Sequence, residues 1–472
     1  MRNNFDWNDD GDEKDVSELI SRFEKMLADE EYFFFDVDEL EIIIDFYLDV
    51  QKIDMSAKAL DFAKTQHPAC TSFRIREARQ MAYENHYYEA LEKLVQMELI
   101  EQANEDIFVV KGEIYSMMNK HDLAIDEYKK ALEISEQPEE LYITIAFEYE
   151  NMNDYPNAIL CLKQALDINP ESFTLIHEIA FFYEMTGKEA EGIDFFLAFI
   201  DKRPYSKEAW FNLGIFYNTL DLYEKAVESY EFAIAIDETF SSAYFNLANS
   251  YSNLGFYRKS IECYLETFKY ESEDALTNYY IGESYENLEE YDQALSFYKH
   301  AMELEPGLAE AFIGVGRIFM LEGKMDMAIR YIEEAVKISP NSNEFRYELA
   351  LLFLKSGNFE AAEEHFGRIV ESDTSYVGGW LNLSLALERQ DRMDEAIETI
   401  EKALDFNGSS PDLWFRLAGY LYSSGKIQQA YVFIEKALEM NPTRYTELVA
   451  YLPELESESR FIELLEIYNK SE

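Results

Sequence analysis

Residues 207–240 read KEAWFNLGIFYNTLDLYEKAVESYEFAIAIDETF, and the segments 241–274 and 275–308 repeat the same arrangement of large and small side chains. Each segment is 34 residues long, so the three align without a gap. Position eight is small in all three: Gly214, Ala248 and Gly282. A fixed period of this length is typical of a solenoid built from helix–turn–helix units.

The same period extends over most of the chain. Steps of 34 residues in both directions from residue 207 predict twelve repeats over 37–444, with no insertion or deletion. Position twenty is small in every repeat, and position eight is small in all but the first, where it is Ile44. Side chains at a crossing set the distance between two packed helices, about 8–10 Å. The two small columns therefore predict that helix A and helix B of each repeat touch there.

Two further columns predict where the helices end. Position fifteen, after helix A, is glycine or asparagine in eight repeats and aspartate in two more. Glycine and asparagine tolerate the left-handed conformation that ends a helix, so we expect that conformation there. Position thirty-two is proline in six repeats, which should end helix B. The other six repeats lack this proline, and the connections of repeats 2, 3, 7, 10 and 11 are expected to be less sharply set.

The segments outside the array predict a tail and two caps. Residues 1–12 are rich in Asn, Asp and Gly and are expected to form a disordered acidic tail. Apolar residues at helical spacing predict an N-terminal capping helix within 13–36, with the aromatic run 32–35 packed beneath it. Residues 445–472 predict C-terminal capping helices after the twelve repeats of 37–444, since terminal repeats of solenoids are usually degenerate caps.

Charge limits the partners that the chain can bind. It has 41 Lys and Arg against 94 Asp and Glu, a formal net charge of −53. Such a surface repels nucleic-acid phosphates and anionic lipid, so neither nucleic acid nor membrane is an expected partner. The acidic residues either only solvate a large surface or attract a basic protein or peptide.

Cysteine usage and hydropathy indicate the compartment. The three cysteines form no Cys-x-x-Cys pair, and sparse unpaired cysteine fits a reducing environment. The N-terminal residues lack the apolar core of a signal peptide, and no apolar run approaches membrane-spanning length. The sequence therefore predicts a cytoplasmic protein.

Motifs that carry chemistry are incomplete in this sequence. His177-Glu178 would need a second histidine at position 181 to form a zinc-binding HExxH motif, and that residue is Phe181. Gly314-Val-Gly316 resembles the start of a nucleotide loop, but the third glycine position holds Phe319. We therefore expect no catalytic residue, no metal site and no cofactor.

The repeat resembles the tetratricopeptide repeat family. The residues that carry the resemblance are Trp210, Leu213, Gly214, Tyr217, Ala226, Tyr230 and Ala233, with a proline closing many repeats. The resemblance covers 37–444. It implies an all-α, right-handed superhelical solenoid of about twelve repeats, with helix A lining a concave groove. Members are mostly scaffolds and adaptors that bind peptides or partner proteins.

The resemblance also implies which residues bind a partner. In the family, positions 2, 5, 6, 9, 12 and 13 of helix A face the groove. At three of these positions, five, six and nine, lie the predicted partner-binding residues: His177, Phe181, Phe211, Asn212, Phe245, Asn246, Asn249, Tyr279, Glu283, Arg317 and Tyr347. Aromatic rings offer large contact area, and asparagine both donates and accepts hydrogen bonds. The alternative is that the aromatic residues pack between neighbouring A helices and that asparagine at position six is family consensus.

We interpret the chain as a non-catalytic interaction scaffold or adaptor that binds a peptide or partner protein in the groove. Two alternatives remain at this stage: a regulatory subunit of a partner enzyme, and a self-assembling scaffold. The sequence leaves the oligomeric state and the identity of the partner open.

Overall fold

Helices make up all the regular secondary structure of the residues described here. The computed structural model describes residues 12–29 and 33–469, which contain 27 α-helices and two short 3-10 helices. The chain divides into two compact units, residues 1–237 and 238–472. The predicted fold class, an all-α helical-repeat solenoid, is confirmed. The predicted acidic tail lies outside the described residues except for Asp12, where the first helix begins.

The first unit contains a leading helix followed by six helix pairs. Its helices are α1 (Asp12–Asp29), α2 (Val37–Asp49), α3 (Ile53–Gln66), α4 (Ser72–Tyr83), α5 (Tyr87–Glu98), α6 (Glu105–Met117), α7 (His121–Leu132), α8 (Pro138–Asn151), α9 (Tyr155–Ile168), α10 (Phe173–Met185), α11 (Glu189–Lys202), α12 (Lys207–Thr219) and α13 (Tyr223–Ile236). From α2 onward, even numbers are helix A of a repeat and odd numbers are helix B.

The second unit contains six more pairs and a C-terminal segment. Its helices are α14 (Ser241–Asn253), α15 (Tyr257–Thr267), α16 (Ala275–Asn287), α17 (Tyr291–Leu304), α18 (Ala309–Leu321), α19 (Met325–Ile338), α20 (Asn343–Ser356), α21 (Phe359–Ser372), α22 (Val377–Glu388), α23 (Met393–Phe406), α24 (Pro411–Ser423), α25 (Ile427–Met440), α26 (Thr446–Tyr451) and α27 (Ser459–Asn469). The 3-10 helices Pro442–Tyr445 and Pro453–Ser457 flank α26.

The small columns lie where helix A meets helix B. Position twenty is buried in all twelve repeats, with Ala226 and Ala294 fully enclosed. A Cβ atom added at Gly214 would lie 2.5 Å from Cε1 of Tyr230, the residue at position twenty-four of the same repeat. Real Cβ atoms essentially never come so close, so glycine at position eight allows the tyrosine ring to lie directly on the backbone of helix A. The predicted close approach is confirmed.

Position fifteen has a positive φ in all twelve repeats, between 55° and 82°. The left-handed turn predicted from glycine, asparagine and aspartate is therefore confirmed. Gln51 (φ 56°) and Glu289 (φ 60°) adopt it too, although their side chains do not favour it. Packing of the two helices in each repeat imposes this turn even where the residue resists it.

Replacing Glu289 by asparagine should stabilise the second unit by about 0.5–1 kcal/mol, because asparagine tolerates the left-handed region that costs other residues about 1–2 kcal/mol. Urea denaturation of the full chain, followed by circular dichroism, measures the change. The reciprocal variant Asn153→Glu, at the same repeat position in the first unit, should lose a similar amount. If both variants are as stable as the wild type, the left-handed turn carries no strain.

Helix B ends two residues before each of the six prolines, as predicted; α17, for example, ends at Leu304 before Pro306. Without proline, α5, α7 and α15 end two or three residues earlier in the repeat, which leaves longer connections. The expectation was wrong for repeats 10 and 11, where α21 and α23 end at the usual position. There side chains fix the turn instead: Asp373 accepts a hydrogen bond from the Ser375 amide (2.9 Å), and Asn407 donates to the Thr374 carbonyl (2.8 Å).

The leading helix α1 packs on the first repeat through aromatic residues. Phe23 lies edge-on to Phe35, with ring centroids 5.9 Å apart, and both rings are fully buried. Arg22 lies over the same ring and forms an ion pair with Glu39 (2.9 Å). Packing beneath the cap is thus confirmed for Phe35 and wrong for Phe34, which is exposed. Tyr32, from the same run, lies outside the described residues.

Candidate functional site

Helix A of each repeat has a buried side and an outward side. In α10, Ile179 and Phe182 are buried, whereas Phe181, Glu184 and Met185 are exposed. The outward residues of α10 and of its counterpart α8 fall at positions 2, 5, 6, 9, 12 and 13, which we call the helix-A face.

A pocket of about 250 Å³ opens between α10 and α12 in the first unit. Its lining residues are His177, Ala180, Phe181, Glu184, Asn212, Ile215 and Phe216. The structure therefore brings together three of the residues predicted from the sequence, namely His177, Phe181 and Asn212. Phe181 is 46% exposed, so its ring is available at the surface of the pocket.

Two predicted residues of the first unit support this pocket from within. Asn212 is only 3% exposed; its Nδ2 donates to the Glu208 carbonyl (2.8 Å) and lies 3.3 Å from Nδ1 of His177. Phe211 is buried against Tyr230, with ring centroids 5.8 Å apart. For these two side chains the geometry favours packing between neighbouring helices over contact with a partner.

The surroundings of His177 favour its neutral imidazole and determine which ring nitrogen carries the proton. Burial lowers the pKa of its imidazole, while Glu208 acts in the opposite direction. Because Nδ1 accepts the hydrogen bond from Asn212, the remaining nitrogen, Nε2, carries the proton of the neutral ring. The pocket thus contains one N–H donor from His177 beside the apolar ring of Phe181.

In the second unit, the predicted residues of repeat 7 are engaged in internal bonds. Asn249 accepts a hydrogen bond from the Tyr264 hydroxyl, and Asn246 donates to the Ser242 carbonyl (2.9 Å). Phe245 lies edge-on to Tyr264, with ring centroids 5.5 Å apart. These three side chains therefore stabilise the fold of their own repeat.

Further along the second unit, Arg317 lies among carboxylates. Its Nε is 3.5 Å from Oε1 of Glu286. The other oxygen of that carboxylate, Oε2, accepts a hydrogen bond from the Tyr298 hydroxyl (2.6 Å). Tyr279 donates to Glu283 (3.5 Å), and burial raises the pKa of that carboxyl while Arg317 lowers it. Sequence reasoning missed Glu286 and Tyr298, although position twelve, where Glu286 lies, was among the groove positions.

Tyr347, predicted for repeat 10, is turned towards its neighbours. Its hydroxyl accepts a hydrogen bond from Nδ2 of Asn382 (2.8 Å), and its ring lies edge-on to Phe366 and Tyr376. The side chain is half-buried. It joins helix A of repeat 10 to helix A of repeat 11.

A second ion-pair network, unforeseen from the sequence, lies in repeats 1–3. Arg76 is 2.7 Å from Asp45 and 3.3 Å from Glu41, and Arg79 is 2.8 Å from Glu113 and 3.7 Å from Asp45. The signal was available, because these residues hold positions five, six and nine of consecutive repeats. The partners are about one period apart in the chain, so no local motif marks them.

Within 12–29 and 33–469 no group of three or more His, Cys, Asp or Glu side chains is arranged to hold a metal ion. In these same ranges, no helix has both the length and the apolar composition needed to cross a bilayer.

Two family models described as tetratricopeptide repeat match the chain. One matches 245–309 and 347–411, and the other matches 105–138, 139–172, 207–240, 309–342 and 411–444. Together these segments make up more than half of the 472 residues. Among curated protein sequences, none matches significantly.

Several solved structures are similar to parts of the chain. The C-terminal part of a TPR repeat-containing protein from Cytophaga hutchinsonii is 18% identical over 54% of this chain and 99% of its own, with a TM-score of 0.44. The APC/C hetero-tetramer Cut9-Hcn1 is 13% identical over 82% and 90%, with a TM-score of 0.40. YrrB, a TPR protein with an unusual peptide-binding site, is 20% identical over 42% and 97%, with a TM-score of 0.32. On the family models and the helix pairs of the fold, the chain belongs to the tetratricopeptide repeat family.

Proposed function

We propose that this chain is a non-catalytic interaction scaffold whose helix-A face in the first unit binds a segment of a partner protein. Tetratricopeptide repeats form protein-interaction scaffolds, and that general role applies to this chain. The observation that carries the finer proposal is Phe181, a half-exposed ring at the pocket between α10 and α12. Aromatic side chains in pockets dominate the energetics of many interfaces.

The arrangement around Phe181 suits a bound polypeptide. Met185, one turn further along α10, is 55% exposed. Phe147, which holds the position of Phe181 in the preceding repeat, is 45% exposed. His177 adds one N–H donor for a carbonyl of the partner. A shallow open pocket of this kind binds a side chain of a larger molecule better than it encloses a small ligand.

The remaining predicted residues have a supporting role in this proposal. Six of them pack within and between the repeats and so hold the helix-A face in place: Phe211, Asn212, Phe245, Asn246, Asn249 and Tyr347. The other three form a polar cluster in the second unit: Tyr279, Glu283 and Arg317. We also propose a cytoplasmic location, which the sparse use of cysteine supports, since the sequence has only three cysteines and no Cys-x-x-Cys pair.

Replacing Phe181 by alanine should reduce capture of a specific partner from host lysate at least about tenfold, since a central anchor is worth about 1.4 kcal/mol or more. The matched control is Phe232→Ala on α13, a helix B, where the ring is similarly exposed (53%). Quantitative mass spectrometry of the captured proteins measures the ratio. If the wild type, Phe181→Ala and Phe232→Ala all retain the partner equally, the partner binds at a surface other than the pocket between α10 and α12.

A further inference from the structure

Acidic residues on the helix-A face are neutralised internally in two places. In repeats 1–3, Arg76 and Arg79 lie between Glu41, Asp45 and Glu113. In the second unit, Arg317 forms an ion pair with Glu286. Burial raises the pKa of the nearby Glu283, and the charge of Arg317 opposes that rise. In both places the chain itself supplies the cation that offsets a cluster of carboxylates.

Repeats 4–6 of the first unit lack such a cation. Their helix-A face positions, on α8, α10 and α12, include no Lys or Arg at all. They include Glu140, Glu150 and Glu184, none of which forms an ion pair with any residue in the described ranges. Negative charge therefore stands uncompensated on this part of the face.

The uncompensated acids lie beside exposed aromatic rings in a repeated pattern. Phe147 and Glu150 occupy positions nine and twelve of repeat 4, and Phe181 and Glu184 occupy the same positions of repeat 5. Residues three apart lie on the same side of a helix, so each ring has a carboxylate one turn further along. Both phenylalanines are about half-exposed. Such an aromatic–carboxylate pair presents an apolar contact and a negative charge together.

We propose that the paired sites Phe147/Glu150 and Phe181/Glu184 bind a cationic segment of a partner protein that alternates bulky apolar and Lys or Arg side chains. This inference rests on the proposed function and names the chemistry of the partner. The apolar side chains contact the two rings, and the cations lie against the carboxylates. The partner's cations thus take the role that Arg76, Arg79 and Arg317 have in repeats 2 and 9. An acidic segment is repelled, and a basic segment without apolar side chains gains only the long-range attraction of the whole surface.

Fluorescence anisotropy of the full chain with labelled synthetic peptides tests this chemistry. Three peptides of equal length are used: one with Phe at every third position and Lys elsewhere, one with Glu replacing Lys, and one with Ser replacing Phe. Every third residue of an extended peptide is about 10 Å along, so a peptide with several Phe residues can place one against each of the two rings. The Phe/Lys peptide should bind at least about tenfold more tightly than either of the others.

Two pairs of variants separate the site from the overall charge. Glu150→Gln/Glu184→Gln removes the proposed carboxylates, and Glu224→Gln/Glu228→Gln removes two exposed carboxylates from helix B of repeat 6. The overall charge changes equally in both. We expect the first pair to weaken binding of the Phe/Lys peptide about tenfold and the second less than about twofold. Phe147→Ala/Phe181→Ala should weaken it by at least about tenfold as well.

The outcomes distinguish this inference from the proposed function. Equal losses from the two glutamine pairs, or tighter binding of the Phe/Glu peptide, would overturn the basic-partner chemistry. If Phe147→Ala/Phe181→Ala still weakens peptide binding in those cases, the proposed function stands. If no peptide responds to the alanine pair, the inference fails, and capture with Phe181→Ala decides the proposed function independently.

Discussion

Replacing Gly282 by leucine is expected to lower the free energy of unfolding of the second unit by at least about 3 kcal/mol, the upper end of overpacking costs. The reason is the ring of Tyr298, which is fully buried and held from both sides. A Cβ atom at Gly282 would lie 2.7 Å from Cδ1 of the ring, and one at Gly314 would lie 2.5 Å from Cζ. The ring cannot move away from one helix without meeting the other.

The tyrosine is fixed at its hydroxyl as well. It donates a hydrogen bond to Glu286 (2.6 Å), and burial together with that carboxylate raises the pKa of Tyr298, so the hydroxyl remains a donor. A ring forced out of this position loses the bond and leaves Glu286 with fewer partners. Both losses add to the steric cost.

Gly367 provides the matched control for Gly282→Leu. It lies within α21, and a Cβ atom there would meet nothing within 4 Å. Gly367→Leu should therefore stabilise the chain by up to about 1 kcal/mol through helix propensity. Urea denaturation of both variants, compared by transition midpoint, measures the contrast. Similar midpoints for the two variants would show that the space around Tyr298 is not limiting.

Gly314 illustrates what a sequence can and cannot reveal. The period predicted the helix pairs, the small columns and the turns, because every repeat must satisfy the same packing. Gly314 stands at position six, where repeats 6, 7 and 11 have asparagine. Glycine is required there because the ring of Tyr298, from the preceding repeat, lies against its backbone. The need for glycine at this position comes from a side chain of the neighbouring repeat. Comparing the residues at one position of all repeats does not show such a contact.

Position four gives a second example of the same limit. Trp380 donates a hydrogen bond from Nε1 to the Thr374 carbonyl (2.9 Å), six residues earlier. Arg346 at the same position donates to the Pro340 carbonyl and is also buried. A charged residue thus takes the place of tryptophan because it donates to the equivalent backbone oxygen. Residue type alone would have placed it on the surface.

The candidate site was predicted in outline only. The choice of helix-A positions identified Phe181 and His177, but the sequence could not distinguish them from Asn212, which is buried. Exposure of a position depends on how closely the next helix A approaches, and that varies between repeats. The ion-pair networks were missed because each links residues from different repeats.

Replacing Arg79 by methionine is expected to destabilise the first unit by about 3 kcal/mol at neutral pH, because removing one partner of a buried ion pair leaves the other charge uncompensated. Arg79 is 2.8 Å from Glu113 and 3.7 Å from Asp45. This value is the lower end of the usual cost of breaking a buried ion pair, since the Glu113 side chain is still 23% exposed.

The pH dependence of Arg79→Met gives this prediction a distinct signature. Burial already raises the pKa of Glu113 above its ordinary value of 4.5, and Arg79 opposes that rise. Without the arginine, the pKa in the folded state rises further. A carboxyl whose pKa is higher in the folded state favours folding when protonated, and that advantage is lost as pH rises. The deficit of the variant should therefore be largest at neutral pH and should shrink as pH falls through the raised pKa of Glu113, which lies above 4.5.

Two controls complete the Arg79 experiment. Glu113→Gln added to Arg79→Met should recover part of the stability at neutral pH and remove most of the pH dependence, because the uncompensated charge is gone. Arg258→Met removes the exposed ion pair with Glu290 and should change stability by no more than about 1 kcal/mol. Urea denaturation across the acidic range measures all of these. A deficit of Arg79→Met that is independent of pH would mean that lost packing, rather than the charge on Glu113, is the cause.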